Sequence, residues 1–336
     1  MQHKSWANHL CLFLFCFAIL FGPAYALFDS YNYDTVANPD LETYLGLAHF
    51  NFDQSLVRKY RVVIPFLAAG FNFLFSPLFS RITPHTFPGP DFSLCISFLF
   101  INCIFMSVFG MFVYRLCKEF GVSRLSAVIG LLSVLTCRWT SYLAGLPLID
   151  SLFMLVIAMT LLGIKTKNTT LIVCSIFIGP WAKESFLFIA PLIFFYSSIP
   201  KYKQLIFFLL SGILVFSFRY YFDSLSGSGH SLGLKADFEH LENIPVSIKR
   251  LFSFHGMYEI ISIFGVWCIL FAALLNKNIR HSLHQHTSSY MIIFLLIVLV
   301  NALLSSELAR MFYMSTPITA IWLALISDKI LDKTVY

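Results

Sequence analysis

The stretch Ser93–Arg115, SLCISFLFINCIFMSVFGMFVYR, decides the fold. No charged residue interrupts it until Arg115 closes it. The hydrocarbon core of a bilayer is about 30 Å thick, and a helix needs about 20 apolar residues to cross it. This stretch has that length. Backbone groups in lipid find no water to bond, so such a run is predicted to be helical. The pattern recurs at 9–28, 62–80, 125–137, 141–164, 169–181, 185–200, 204–222, 256–275, 288–304 and 309–328. That makes about eleven candidate runs, the shorter ones between 125 and 200 having the softest boundaries. The expected fold class is all-α, a polytopic transmembrane helical bundle of about 10–11 helices.

Composition points the same way. The chain is 58% apolar and 12% charged, with a mean hydropathy of +0.78. A soluble domain carries about twice that share of charge. The net charge of +6 is not the footprint of a nucleic-acid binder, because Lys and Arg fall in short clusters between apolar runs, as topology signals do. The eight cysteines lie in or beside apolar runs without a CxxC pair, and they read as small apolar residues.

Three regions follow. Residues 1–28 form a first helix that reads as a signal anchor: Lys4 precedes an apolar core, and Pro23-Ala24-Tyr25-Ala26 resembles a cleavage site behind a run long enough to stay in the membrane. Residues 29–61 form an external acidic loop. Residues 62–336 form a multi-pass helical membrane domain with a second external loop at 223–255. The basic connectors are 115–124, Lys165-Thr166-Lys167, Lys201-Tyr202-Lys203, the stretch with Lys277 and Arg280, and the tail with Lys329 and Lys333. The positive-inside rule makes them cytoplasmic. The opposite face then carries 138–150, Lys183-Glu184, 223–255 and Glu307–Arg310. An external 29–61 followed by two crossings would put 115–124 outside. One segment between 58 and 92 is therefore expected not to cross simply. Run 62–80, interrupted by Pro65, Gly70, Asn72 and Pro77, is the expected exception. The sequon at Asn168 falls on the cytoplasmic face in this scheme.

Charges at membrane depth are expensive and mark functional candidates. Asp34 and Asp40 lie in the acidic loop, where a carboxylate can serve as a general base. Asp40 also suits the N-cap or first turn of a helix over 41–48. Arg61 ends Arg58-Lys59-Tyr60-Arg61, either a snorkelling anchor or a phosphate clamp. Asp150 opens a long apolar run, and Lys183-Glu184 sits between two others. Glu307 and Arg310 have the spacing of a helical ion pair. These groups collect on one side and are expected to line one cavity open to the non-cytoplasmic face. His281, His284 and His286 lie in a polar connector with no Cys or acid nearby, so they read as a solvated linker and no metal ligand is assigned.

The order of these features resembles the GT-C superfamily of multi-pass glycosyltransferases, especially bacterial mannosyltransferase-like members. Asp40-Leu41-Glu42-Thr43-Tyr44-Leu45-Gly46-Leu47-Ala48 is similar to the acid and Tyr-Leu of that family's first external loop. Tyr60-Arg61-Val62-Val63-Ile64-Pro65 then resembles its Tyr-Arg-x-x-x-Pro element. The basic connector at Tyr114–Ser123, the helix-opening Asp150 and the Lys183-Glu184 pair follow in the family's order. The resemblance runs from Asp40 to about Phe195, with a weaker echo at Glu307–Pro317. The large C-terminal soluble domain of many relatives has no counterpart.

The resemblance implies transfer of a sugar from a polyprenyl-phosphate donor to a glycan, lipid or protein acceptor on the non-cytoplasmic face of a bacterial inner membrane. It implies Asp40 as base, with Asp34 competing for that role. Arg61, Lys183 and Arg310 are available for phosphate, and Asp150, Glu184 and Glu307 join them as substrate-binding candidates. A divalent cation is compatible with this set, but nothing in the sequence requires one. The expected partners are the lipid-linked donor, the acceptor and membrane lipids, without nucleic acid. Two rival readings use the same residues: a transporter or flippase for a lipid-linked glycan, and a non-catalytic membrane subunit.

Overall fold

The computed structural model describes residues 2–33, 38–54, 58–82, 91–225, 240–305 and 307–334. These residues form helices and connectors, with no strand among them. The two longest helices, α1 (Gln2–Ser30) and α4 (Phe92–Lys118), run antiparallel side by side. Phe28 faces Phe92 at 5.8 Å and Phe21 faces Phe100 at 5.3 Å, ring centroid to ring centroid. A short helix, α2 (Pro39–Ala48), and α3 (Val63–Phe79) follow α1.

Helix α4 is the hub. It packs against α1, α3, α5 (Arg124–Leu135), α6 (Arg138–Gly145) and α7 (Asp150–Thr166). Every residue of α7 from Asp150 to Ile164 is buried. A helix apolar on all sides belongs inside the bundle rather than at the lipid boundary. Helices α8 (Thr169–Ala182), α9 (Phe186–Tyr196) and α10 (Lys201–Leu225) come next. Beyond them lie α11 (Asn243–Leu251), α12 (Phe254–Phe264), α13 (Lys277–His286), α14 (Ser289–Leu304), α15 (Leu308–Phe312) and α16 (Thr316–Thr334). Between α12 and α13 the chain winds as a 3₁₀ helix over Gly265–Leu275, entered through Gly265 at φ +52°. Helix α16 returns antiparallel along α5. The Asp328 carboxylate accepts from Ser123 N at 2.8 Å and from the Ser126 hydroxyl at 2.9 Å. Midway, a Cβ on Gly130 would lie 2.7 Å from the Ala320 carbonyl oxygen, so only glycine permits that approach.

Among the described residues five helices are long and apolar enough to cross a membrane, or up to seven if each of two bent pairs is one span. These helices fit a multi-pass membrane protein, with fewer full-length spans among the described residues than the apolar runs suggest. Three runs fall short as helices: α3 has 17 residues, α8 has 14 and α9 has 11. At about 1.5 Å per residue none reaches 30 Å. Lys183 takes an extended backbone at φ −167° and divides α8 from α9.

Run 62–80 corrects another expectation. Its prolines do not interrupt it. Pro65 lies in the first turn, where the missing N–H has no helical partner to lose, and Pro77 lies near the end. The segment still does not carry the chain to the opposite end. Asp91, after α3, comes back to within 3.5 Å of His49, before it. Ser93 donates to Asn72 Oδ1 at 2.5 Å. The chain therefore leaves and rejoins one end of the bundle, which removes the parity conflict.

The basic connectors gather at the other end. Lys165 Nζ stands 3.9 Å from the centre of the Phe120 ring, Ser198 donates to the Lys167 carbonyl at 3.2 Å, and Asp328 holds Ser123. This sidedness yields a testable topology. Cysteines introduced within 223–255 should react with an impermeant maleimide on intact spheroplasts, and those within Lys277–His286 only after permeabilisation. The reverse pattern would invert the orientation and move the acidic end to the cytoplasm.

Candidate functional site

Local sequence sets each charged group in place. Pro39 occupies the first helical position of α2 after Asn38, its fixed φ suiting a helix start. Asp40 is thus a first-turn residue and not the N-cap. It faces inward with Leu41, Tyr44 and Leu45, all buried. Asp150 opens α7, and the turn before it is clamped by α4. The Asn102 amide donates to the Leu146 and Leu148 carbonyls at 2.9 and 3.0 Å, and Ser151 donates back to Asn102 Oδ1 at 2.5 Å. Lys183 projects from the α8–α9 break. Arg310 lies on the five-residue α15.

These four residues are only 5–8% exposed, and they meet. Arg310 Nη1 donates to Asp40 Oδ2 and to Glu307 Oε2, both at 2.8 Å. Its Nη2 donates to Asp150 Oδ2, and Lys183 Nζ donates to Asp150 Oδ1 at 2.8 Å. Arg58 Nε lies against Asp40 Oδ1 as an ion pair. Its N–H is not aligned for a hydrogen bond, so Oδ1 is buried with no hydrogen-bond donor on it. Three carboxylates thus face three cations, joining residues 270 positions apart. A buried ion in lipid or protein persists only when paired in this way.

A second cluster adjoins the first. Arg61 donates through Nε to Glu184 Oε2 and through Nη1 to the Tyr44 hydroxyl, both at 2.9 Å. Arg219, on α10, sits 3.7 Å from Glu184 Oε1 and 4.6 Å above the Tyr60 ring. The Tyr60 hydroxyl donates to Asp223 at 2.8 Å, and Lys59 pairs with the same carboxylate. The structure therefore brings together Asp40, Arg61, Asp150, Lys183, Glu184, Glu307 and Arg310. Asp34 lies outside the described residues. The groups meet by direct contact, as a packed network, where a cavity wall was expected.

Electrostatics keep Asp40 ionised. Burial alone would push its carboxyl up, but Arg310 and then Arg58 outweigh that and hold it below the ordinary aspartate value. Burial pushes the Tyr44 phenol up to about 12, so it stays protonated beside Arg61. A depressed carboxylate stabilises the fold fully above its unfolded pKa and loses that contribution as pH falls through the folded value. Thermal stability in detergent should therefore fall on acidification below about pH 4. Asp40→Asn should flatten that limb. An unchanged limb in the variant would assign it to other carboxylates.

No group of three or more His, Cys, Asp or Glu among the described residues is arranged to hold a metal ion. The acidic oxygens a divalent cation would need are engaged by Arg310, Arg58 and Lys183. Sequence reasoning overlooked Arg219, Asp223 and Asn102. A signal was present for each: Arg219 and Asn102 are lone polar groups within apolar runs, and Asp223 ends one. No family model matches the chain, and no curated protein is similar to it in sequence.

Proposed function

We propose that the protein transfers a sugar from a polyprenyl-phosphate donor to a hydroxyl acceptor, as a GT-C-type glycosyltransferase of a bacterial inner membrane. The observation that carries this reading is Asp40: a buried, ionised carboxylate whose Oδ1 pairs with Arg58 without a hydrogen bond and whose Oδ2 is held by Arg310, with Lys183 on the neighbouring Asp150. Such a site supplies a base and an anion clamp within a few ångströms of each other. In the step proposed, the acceptor oxygen bonds to the anomeric carbon of the donor. The sugar–phosphate C–O bond breaks, and its electron pair stays on the phosphate. The acceptor proton passes to Asp40 Oδ1.

The arginines have two tasks in this scheme. A carboxylate held below its ordinary pKa is a weaker proton acceptor. A phosphate arriving on Arg58 or Arg310 competes with Asp40 for that guanidinium and relaxes the depression. Donor binding thereby switches the base on. The same guanidinium then steadies the leaving phosphate as its charge grows.

A second reading has its own observation. The inner cluster is charge-balanced and ties α2, α7, α15 and the α8–α9 break together, as a purely structural clasp in a non-catalytic subunit would. Transfer of radiolabelled sugar from a panel of polyprenyl-phosphate sugars, by purified protein in proteoliposomes, separates these. New glycosidic product supports the transferase. Transbilayer movement of the intact donor without product supports a carrier, and neither result across the panel supports the clasp.

A further inference from the structure

Among the described residues the outer cluster is not charge-balanced. Lys59, Arg61 and Arg219 face two carboxylates, Glu184 and Asp223. Lys59 pairs with Asp223, which leaves two guanidinium groups sharing Glu184. Arg61 is hydrogen-bonded on two sides. Arg219 is not: among the described residues no hydrogen bond holds its guanidinium, and its Nε is buried without a partner. Stacking on Tyr60 nevertheless fixes its plane. The result is an oriented, underused donor fork with one positive charge in excess.

Beside it on the same helix lies an apolar groove. It is a shallow depression, open to one side and formed by α10 alone, along Phe208, Leu209, Gly212, Ile213, Phe216 and Ser217. Leu209, Ile213 and Phe216 are more than half exposed, so the groove opens on the outside of the bundle, where bilayer lipid is. Nothing lies within 4 Å of where a Gly212 Cβ would be, so the helix surface is open there. Arg219 stands seven residues beyond Gly212, about 10 Å along the helix, at the edge of that apolar face.

We propose that Arg61 and Arg219 bind the phosphodiester of an anionic bilayer phospholipid whose acyl chain lies in the α10 groove. Charge favours a phosphodiester, and the donor of the proposed step, itself a phosphodiester, is assigned to Arg58 and Arg310 instead. One excess positive charge matches one phosphodiester charge, whereas a lipid phosphate monoester brings about −1.5 to −2. A zwitterionic headgroup offers the same phosphate with a cation that the cluster repels. The guanidinium fork suits a phosphate in two-point contact, as a lysine ammonium does not. This inference rests on the transfer step proposed above, in which Arg58 and Arg310 hold the donor's phosphate and leave Arg61 and Arg219 to a second lipid.

The test uses the full-length protein in nanodiscs of phosphatidylcholine with and without phosphatidylglycerol. Bound lipid is read by native mass spectrometry and stability by thermal unfolding. Wild type should retain one phosphatidylglycerol and unfold at higher temperature when it is present. Arg219→Gln should weaken retention about tenfold or more, the loss of one charge-assisted contact, and Arg219→Lys should recover only part. Gly212→Phe puts a ring on this face at a position whose Cβ meets no protein atom, and should weaken retention while leaving the unfolding temperature in pure phosphatidylcholine unchanged. Arg280→Gln, on a basic connector at the other end, should change nothing. Retention undiminished in Arg219→Gln, or equally diminished in Arg280→Gln, would overturn the site. So would displacement of phosphatidylglycerol by an equimolar polyprenyl phosphate, which would make a monoester the occupant. Inorganic phosphate competing as well as the lipid, with Gly212→Phe silent, would remove the groove from the proposal.

Discussion

Replacing Asp40 with Asn should lower sugar transfer by about 10²–10⁴, the usual contribution of a general base, while the protein still assembles in the membrane. The substitution keeps the shape of the side chain and one acceptor oxygen but removes the proton acceptor. In the network that remaining oxygen can still take the Arg310 Nη1–H, now 2.8 Å from Oδ2. Arg58, on a partly exposed turn, can turn to water. The cost in stability should be about 1.5–3 kcal/mol, the value of a charge-assisted hydrogen bond. Activity and stability therefore separate. A structural clasp predicts the opposite pattern, with lowered stability and nothing to lose in catalysis. Asp34→Asn is the companion variant, because the other acid of the loop competes for the role. Loss only in Asp34→Asn would transfer the base to that residue, and full activity in both would end the first-loop mechanism.

How far the sequence revealed this site depends on what kind of signal each residue carries. Buried charge is costly enough that an acid or base in or between apolar runs reads as a candidate without any structure, and Asp150, Lys183 and Arg310 were legible in that way, whereas Asp40 was one of several acids of a polar loop, singled out by the family resemblance. That they meet was foreseeable from topology, since alternating basic connectors placed them all at one end. That they pair directly was not. Which nitrogen of Arg310 reaches which carboxylate depends on a five-residue helix whose orientation no periodicity encodes. The same limit explains the span count. Composition marks a run as apolar without fixing how long its helix is, so the runs that became α3, α8 and α9 were counted with the full-length ones although their helices have 17, 14 and 11 residues. Asn102 escaped because a single amide in a 27-residue apolar helix reads as tolerated polarity. Only the fold shows it holding the turn that aims Asp150.

The second large effect concerns Arg310. Replacing it with Met removes the one cation that touches Asp40, Asp150 and Glu307 at once. Removing one partner of a buried pair costs about 3–5 kcal/mol, because the remaining charge stays buried without compensation. Arg310→Met leaves three carboxylates against Arg58 and Lys183, so the variant should unfold at markedly lower temperature in detergent and accumulate poorly. Charge arithmetic then predicts a rescue. Adding Asp150→Asn returns the inner cluster to two carboxylates, Asp40 and Glu307, against the same two cations. The double variant should be more stable than Arg310→Met alone, although Asp150→Asn by itself destabilises by leaving an excess cation. Such a sign reversal arises only between groups that share one network. Neither Arg310→Met nor the double variant should transfer sugar, because the phosphate has lost its guanidinium. Thermal unfolding of the four proteins of this cycle measures the coupling directly. Additive losses would mean that the contacts among these buried charges carry no shared energy, and the anion clamp would then have to be sought in the outer cluster of Arg61 and Arg219.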